Sequence, residues 1–166
     1  MKRLLFLTAV FLYLFCVSNL SVSQINSPYK IIPGSGFDLL RIGDNKEDIY
    51  EILGIPAKYD GKYLDYYYEG LEFSLKDDKI STIFFIYRSK THMTFDGKTD
   101  KGIGFCSTIP EVIRAYGKPD RIGNSVVSEY GAFPGAHEYY LEYNSLGISF
   151  TFYDNELAGI RVYASR

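Results

Sequence analysis

The chain has 166 residues, 46% of them hydrophobic and 23% charged, and its formal net charge at pH 7 is −2. Without residues 1–23, a predicted leader that contains Lys2 and Arg3, the rest of the chain keeps 16 basic against 20 acidic side chains, a net charge of −4. This balance argues against a nucleic-acid partner, because phosphates require a basic surface. The length suits one ordinary domain with a buried core.

The first residues, MKRLLFLTAVFLYLFCVSNLSVSQ, combine a basic start, an apolar run from Leu4 to Val17 and small residues at Ser21 and Ser23. This pattern is typical of a secretory signal peptide and predicts one over residues 1–23, cleaved after Ser23. The apolar run is shorter than the ~20 residues that a membrane-spanning helix requires. We therefore expect an exported protein, either periplasmic or extracellular.

Cys16 leaves a second possibility open, a lipoprotein signal whose cysteine becomes the lipidated N-terminus. Such signals place small residues before the cysteine, whereas Phe15 precedes it here. We favour an ordinary signal peptide and expect a membrane contact only if Cys16 is lipidated. Cys106 is then the only cysteine of the mature chain, so an intramolecular disulfide is excluded.

Two segments of the mature chain share one local pattern, DNKEDIYEILGIPAKYD from residue 44 and CSTIPEVIRAYGKPD from residue 106. Each has a capping residue, a short stripe of apolar residues at helical spacing, and then Gly-x-Pro, which ends a helix. In the first, Asp44 or Asn45 is the expected cap; in the second, Thr108 and Glu111 form a capping box. Both helices are too short to be stable alone, so they must dock on other elements.

Alternating strands follow each predicted helix. Leu71, Phe73 and Leu75 alternate with polar residues, and the segment Ile148-Ser149-Phe150-Thr151-Phe152 repeats this pattern. Such period-two alternation is typical of antiparallel strands with one buried face. The offset between matching positions is 63 residues for the helices and 77 for the strands, so the second copy carries 14 extra residues.

The paired segments predict an α+β fold of two tandem helix-plus-antiparallel-meander repeats. We expect them to form one curved sheet of about six strands, or eight with extra edge strands, with the helices on one face. The predicted boundaries are an N-terminal extension over residues 24–38, repeat 1 over 39–90 and repeat 2 over 91–166. The predicted core consists of Ile49, Leu53, Phe73, Leu75, Ile83, Val112, Tyr116, Phe150, Phe152 and Ile160.

The pattern of cap, acidic residue, Gly-x-Pro and then Gly-Leu-x-Phe followed by Asp-Asp-Lys-Ile resembles the repeat of the β-lactamase-inhibitor-protein-like fold. It is similar also to the small outer-membrane lipoproteins of the SmpA/OmlA type. The resemblance covers residues 39–87 and 103–163. It implies a non-catalytic, protein-binding module with an unknown partner in the envelope or outside the cell. The matched positions are structural, so the resemblance implies no binding residues.

The predicted strand pairing places a second set of side chains on the sheet face away from the helices. A two-residue turn at Glu69-Gly70 sets Tyr67 opposite Glu72, and a four-residue turn sets Tyr143 opposite Ile148. Aromatic and Arg residues flanked by charge are favoured in protein interfaces. The predicted contact surface consists of Tyr67, Glu72, Phe84, Tyr140, Thr151, Tyr153, Arg161 and Tyr163. An alternative is that residues 24–38 or a second copy of the chain covers this face.

The sequence supports a catalytic site or a metal site less well than a binding surface. The alternative function is an uncharacterised secreted hydrolase that uses Cys106 or a histidine, His92 or His137. Cys106 lies just before a helix start and is explained as a small packing residue. Both histidines fall in predicted loops, where we expect them to face solvent. Asp77-Asp78 and Asp154-Asn155 lack the alternating ligand spacing of calcium loops and are interpreted as β-turns. We therefore predict no catalytic residue, no metal site and no cofactor.

Overall fold

The computed structural model describes residues 29–128 and 133–166, of which 44% lie in strands and 12% in two helices. These residues form an eight-stranded antiparallel sheet and a separate three-stranded sheet. The predicted α+β fold of two helix-plus-meander repeats is therefore wrong, because the protein is mainly sheet and contains a second sheet that the prediction lacks. The predicted signal peptide lies outside the described residues.

The strands of the large sheet are β3 (Lys58–Tyr59), β4 (Tyr63–Tyr66), β5 (Leu71–Lys76), β6 (Lys79–Ile86), β8 (Arg121–Val126), β9 (His137–Tyr143), β10 (Ile148–Tyr153) and β11 (Glu156–Tyr163). Their order is β3-β4-β5-β6-β11-β10-β9-β8, with antiparallel pairing throughout. Strands β6 and β11 pair at the centre of the sheet and join the two halves of the chain.

The small sheet consists of β1 (Tyr29–Ile32), β2 (Gly36–Phe37) and β7 (Gly97–Thr99), with β1 in the middle. It packs on the large sheet through Phe37, whose ring meets Phe85 edge-on at 5.6 Å. Phe95, in the loop before β7, lies 4.9 Å from Phe85. Phe85 faces the core. The described part of the N-terminal extension, residues 29–38, therefore lies on the core side.

Two helices, α1 (Lys46–Leu53) and α2 (Ile109–Tyr116), have the same local construction. The Asp48 carboxylate accepts the backbone N–H of Asn45 at 2.8 Å, and the Glu111 carboxylate accepts that of Thr108 at 2.8 Å. The predicted Thr108–Glu111 capping box is confirmed, and Asn45 is the cap of α1. Among the described residues, neither helix is long and apolar enough to cross a bilayer.

The core lies between the helices and one face of the large sheet. All of the predicted core residues are buried except Leu53, which is partly exposed. Tyr116 of α2 packs on Phe150 at 5.2 Å between ring centroids. Two tyrosine hydroxyls fix the helix ends to the sheet, since Tyr66 donates to the carbonyl of Gly54 at 2.8 Å and Tyr143 to that of Gly117 at 3.0 Å.

The turns of the two halves differ in how well the sequence predicts them. Asp77, Asp78, Asp154 and Asn155 have positive φ and form the predicted two-residue β-turns. Tyr143 lies opposite Ile148 as predicted. The two-residue turn at Glu69-Gly70 is wrong, because Tyr66 pairs with Leu71 across a four-residue turn.

Candidate functional site

The large sheet face opposite the core carries one continuous row of side chains, the open face, which are partly exposed except for the buried Ser149. Cross-strand pairing sets Tyr140 beside Thr151 and Glu142 beside Ser149, and then Ser149 beside Arg161. Arg161 pairs in turn with Phe84, which pairs with Glu72 on β5. The open face therefore runs across five neighbouring strands, from β9 to β5.

A groove of about 610 Å³ follows this row. The structure brings together six of the eight residues that the sequence predicts for the contact surface, since its walls include Glu72, Phe84, Tyr140, Thr151, Tyr153 and Arg161. Tyr163 is not among the groove residues, and its hydroxyl donates to the Asn144 amide oxygen at 2.9 Å. Tyr67 lies in the four-residue turn, so its predicted position opposite Glu72 is wrong.

Charged side chains on β8, β9 and β11 form a small network at one end of the groove. The Arg161 guanidinium lies 3.5 Å from the Glu142 carboxylate and donates to the Ser149 hydroxyl at 3.1 Å. Arg121 lies 3.8 Å from the same Glu142 carboxylate. Glu138 accepts a hydrogen bond from the Ser125 hydroxyl at 2.7 Å. Arg161 is therefore held in place over the sheet, whereas Glu138 has a neutral partner.

Two carboxylates and an imidazole meet at the opposite end of the groove. Asp65 on β4 lies directly across from Glu72 on β5, and the His92 ring, from the loop after β6, lies over them. The ligand atoms of these three side chains all lie within 4.8 Å of one another. Only 7% of the His92 side chain and 12% of the Asp65 side chain are exposed. This group, the Asp65–Glu72–His92 cluster, has the residue types that hold a metal ion.

Burial changes the protonation of the cluster. Desolvation, together with the neighbouring Asp65 carboxylate, raises the pKa of Glu72 to about 7. Desolvation also lowers the pKa of His92, although the charge of Asp65 acts in the opposite direction. The ring is accordingly neutral near pH 7. Two carboxyl groups that share one site favour a state in which one of them keeps its proton.

The loop that carries His92 is fixed by several hydrogen bonds. The Ser89 hydroxyl accepts the backbone N–H groups of Thr91 and His92 at 3.1 and 3.2 Å. The Thr91 hydroxyl lies 3.0 Å from Nδ1 of His92, and Tyr67 packs edge-on against the ring at 4.7 Å. The backbone N–H of Met93 donates to the Tyr67 carbonyl at 2.7 Å. The four-residue turn that contains Tyr67 therefore helps to position His92, and it is the same turn that is predicted incorrectly from the sequence.

The sequence does not predict Asp65 as a site residue, and it indicates His92 only for the hydrolase alternative. A four-residue turn at Tyr67 to Gly70, rather than a two-residue one, would have set Asp65 opposite Glu72. The expectation that the histidines face solvent is wrong for His92, whose loop position gives no periodic signal of burial. It is right for His137, which is exposed at the start of β9.

Cys106 lies apart from the groove. Its side chain is exposed in the segment before α2, with a φ of 65°. The explanation that it is a small packing residue is therefore wrong, since an exposed residue is not packed. It does not line the groove with His92.

Comparisons with known proteins identify no family. No protein-family model matches the chain, and no curated protein matches it. A solved structure with some likeness is the crystal structure of a DUF4309 family protein (YjgB) from Bacillus subtilis subsp. subtilis str. 168. It is 18% identical, the match covers 79% of this chain and 88% of that chain, and the TM-score is 0.48. At this level the likeness carries no argument about function.

Proposed function

We propose that the protein is a non-catalytic, exported protein-binding module whose partner is an envelope or extracellular protein. The groove on the open face is the proposed binding site. It accommodates an extended segment that carries apolar side chains and at least one basic side chain. The observation that carries this proposal is the continuous row of Phe84, Arg161, Thr151 and Tyr140 across the sheet, partly exposed along a groove of about 610 Å³.

The composition of the groove supports a protein partner. Aromatic residues and arginine are enriched in protein interfaces, and their fixed positions reduce the entropy lost on binding. Arg161 is held by Glu142 and Ser149, and the Arg88 guanidinium donates to the Tyr153 carbonyl at 2.9 Å. A bound segment therefore meets aromatic surfaces and cations that are already ordered.

The charges favour a basic group on the partner at the β9 end. Arg161 and Arg121 both approach Glu142, and Arg88 lies 3.3 Å from Glu156. Within the described residues, Glu138 has no ion pair and only the Ser125 hydroxyl as a side-chain hydrogen-bond partner. A Lys or Arg of the bound segment would pair with this carboxylate.

The secreted-hydrolase alternative has one supporting observation, the position of His92 beside two carboxyl groups. A His that acts as general base must lie within hydrogen-bond distance of a nucleophile or a water. Nε2 of His92 has no hydrogen-bond partner among the described residues. Nδ1 of His92 contacts the Thr91 hydroxyl at 3.0 Å, on the side of the ring away from the two carboxyl groups, so no nucleophile of the described residues lies between Nε2 and those groups. We therefore favour binding over catalysis.

A random-peptide selection tests the proposal without knowledge of the partner. Residues 24–166 contain every described element and serve as the bait. Displayed peptides of about 12 residues reach about 40 Å when extended, enough to cross eight strands spaced about 4.8 Å apart. We expect enriched peptides to contain aromatic or aliphatic residues beside Lys or Arg. Mass spectrometry of the incubated peptides distinguishes binding, which leaves them intact, from hydrolysis.

Two double variants make the test specific to the groove. Substituting Tyr140→Ala together with Arg161→Ala should weaken peptide binding at least 100-fold while the thermal midpoint stays nearly unchanged. The matched control combines Tyr59→Ala and Arg114→Ala, two exposed residues outside the groove, and should bind like wild type. Failure to enrich any peptide, or equal binding by both double variants, would reject the proposal.

A further inference from the structure

We propose that the Asp65–Glu72–His92 cluster binds a divalent transition-metal ion of the Zn²⁺ type. The ligands would be Nε2 of His92 and one carboxylate oxygen each from Asp65 and Glu72. The site lies at the β4–β5 end of the groove, although the sequence predicts no metal site. It concerns the chain alone and does not depend on whether the groove binds a protein.

The spacing of the ligand atoms suits a metal of this size. Bonds of about 2.1 Å to a tetrahedral Zn²⁺ place neighbouring ligand atoms about 3.4 Å apart. Nε2 of His92 lies 3.7 Å from Oδ1 of Asp65, and all three ligand atoms lie within 4.8 Å of one another. Small side-chain rotations are enough to close the site around an ion. The 3.7 Å separation is too long for a direct hydrogen bond.

The unpartnered nitrogen is the second, independent observation. Nε2 of His92 is fully buried and has no hydrogen-bond partner among the described residues. The side chain is 7% exposed, and this nitrogen points toward Asp65. A buried polar atom without a partner costs about 1–3 kcal/mol, so such atoms call for an explanation in a ligand or ion. A metal bound between Nε2 and the two carboxylates supplies the missing partner.

The neighbouring groups orient the ring as they do in metal sites. A metal-bound histidine usually donates its other ring N–H to a hydrogen-bond acceptor, which fixes the tautomer. The Thr91 hydroxyl, 3.0 Å from Nδ1 of His92, is placed to accept this proton, and the Ser89 hydroxyl lies 3.2 Å from that of Thr91. With Nδ1 protonated, Nε2 presents its lone pair to the two carboxylates.

The ligand set selects the class of metal and leaves room for another ligand. Imidazole nitrogen with carboxylate oxygens suits Zn²⁺ and its neighbours, whereas Mg²⁺ and Ca²⁺ prefer oxygen alone. Three protein ligands leave a fourth tetrahedral position. Glu72 and His92 both line the groove, so this position faces it. Glu138 and Glu142 lie four strands away, about 19 Å at ordinary strand spacing, so the two ends of the groove act separately.

Calorimetric titration of metal-free residues 24–166 with ZnCl₂ at pH 7 tests the site. The exposed thiol of Cys106 could bind zinc, so Cys106→Ser is the background for every sample. We expect one Zn²⁺ per chain, and at least a tenfold loss of affinity in His92→Asn, Asp65→Asn and Glu72→Gln. The matched control is His137→Asn, which removes an exposed histidine outside the cluster and should bind Zn²⁺ like the background protein.

Nuclear magnetic resonance of the two histidine rings gives a readout that needs no variant at the site, because the chain contains only two histidines. Zinc should shift the ring signals of His92 and leave those of His137 unchanged. Shifts at His137 instead, tighter binding of Mg²⁺ or Ca²⁺ than of Zn²⁺, equal affinity in all variants, or no binding would overturn the proposal. Peptide binding by the groove is measured separately, so failure of either proposal leaves the other standing.

Discussion

Replacing Glu72 by Gln should stabilise the metal-free protein at alkaline pH. Burial and Asp65 raise the pKa of Glu72 from 4.5 to about 7, so the folded chain holds this proton more tightly than the unfolded chain. The contribution of Glu72 to the free energy of unfolding of the wild type is therefore fully present below about pH 4.5 and is lost as the pH rises through about 7. Gln resembles the protonated carboxyl group at every pH, and its amide can donate to Asp65.

The size of the effect follows from the pKa change. A rise of the Glu72 pKa from 4.5 to about 7 corresponds to a loss of at most about 3 kcal/mol in the free energy of unfolding at alkaline pH. Glu72 is partly exposed to solvent, which reduces the expected gain to about 1–2 kcal/mol at pH 8. Burial lowers the pKa of His92, which has the opposite pH dependence below about 6.5. Both proteins contain His92, so its contribution largely cancels in their difference.

Urea titrations at pH 5 and pH 8, with a chelator present, measure this difference. Glu72→Gln should match wild type within about 0.5 kcal/mol at pH 5 and exceed it at pH 8. Glu51→Gln makes the same charge change at an exposed position of α1 and serves as the control. An equal difference at both pH values, or the same pH-dependent gain in Glu51→Gln, would refute the assigned environment of Glu72.

Two further predictions concern packing. Phe150→Ala removes a fully buried ring and should cost about 3–5 kcal/mol in a urea titration, whereas a loss below about 1 kcal/mol would contradict the packing of this face. Gly70→Ala should cost at least about 2 kcal/mol, because φ is 67° and a Cβ would lie 2.5 Å from the Met93 carbonyl oxygen and 2.6 Å from the Phe95 nitrogen. The control is Gly102→Ala, where φ is 79° and no atom lies within 4 Å of the added Cβ. Its loss of stability should be only about 1 kcal/mol. Equal losses in the two variants would show that the close backbone approach at Gly70 contributes nothing.

Local signals in the sequence predict the helices, the central strands and much of the core. Thr108 with Glu111 is a short-range capping pattern, and the alternation at Ile148 to Phe152 needs only its own strand. The fold class is wrong because the small sheet depends on long-range pairing. Strand β1 pairs in parallel with β7, about 70 residues later in the chain, and this pairing leaves no local pattern in the sequence. Strand β2 has only two residues, too few to show the alternation typical of a strand.

In the candidate site, too, local signals predict some residue positions, whereas tertiary contacts determine the others. The sequence predicts Tyr140 on the open face correctly, because Asn144 to Gly147 is a recognisable four-residue turn. It also predicts Arg161 there correctly, because the neighbouring Ile160 and Val162 are buried. The predicted position of Tyr67 is wrong because the turn that ends at Gly70 is set by the loop at Met93 to Phe95, which approaches Gly70 too closely for any side chain. That tertiary contact also brings His92 over Asp65, so one long-range feature explains both the register error and the missed cluster.

The most direct test of the open face as the binding site is backbone amide mapping of residues 24–166 with a selected peptide. Chemical-shift changes should concentrate on β9, β10, β11 and β6, around Tyr140, Thr151, Arg161 and Phe84, and leave the amides of α1 and α2 unchanged. Shift changes centred on the two helices or on the small sheet would contradict the assignment of function to the open face.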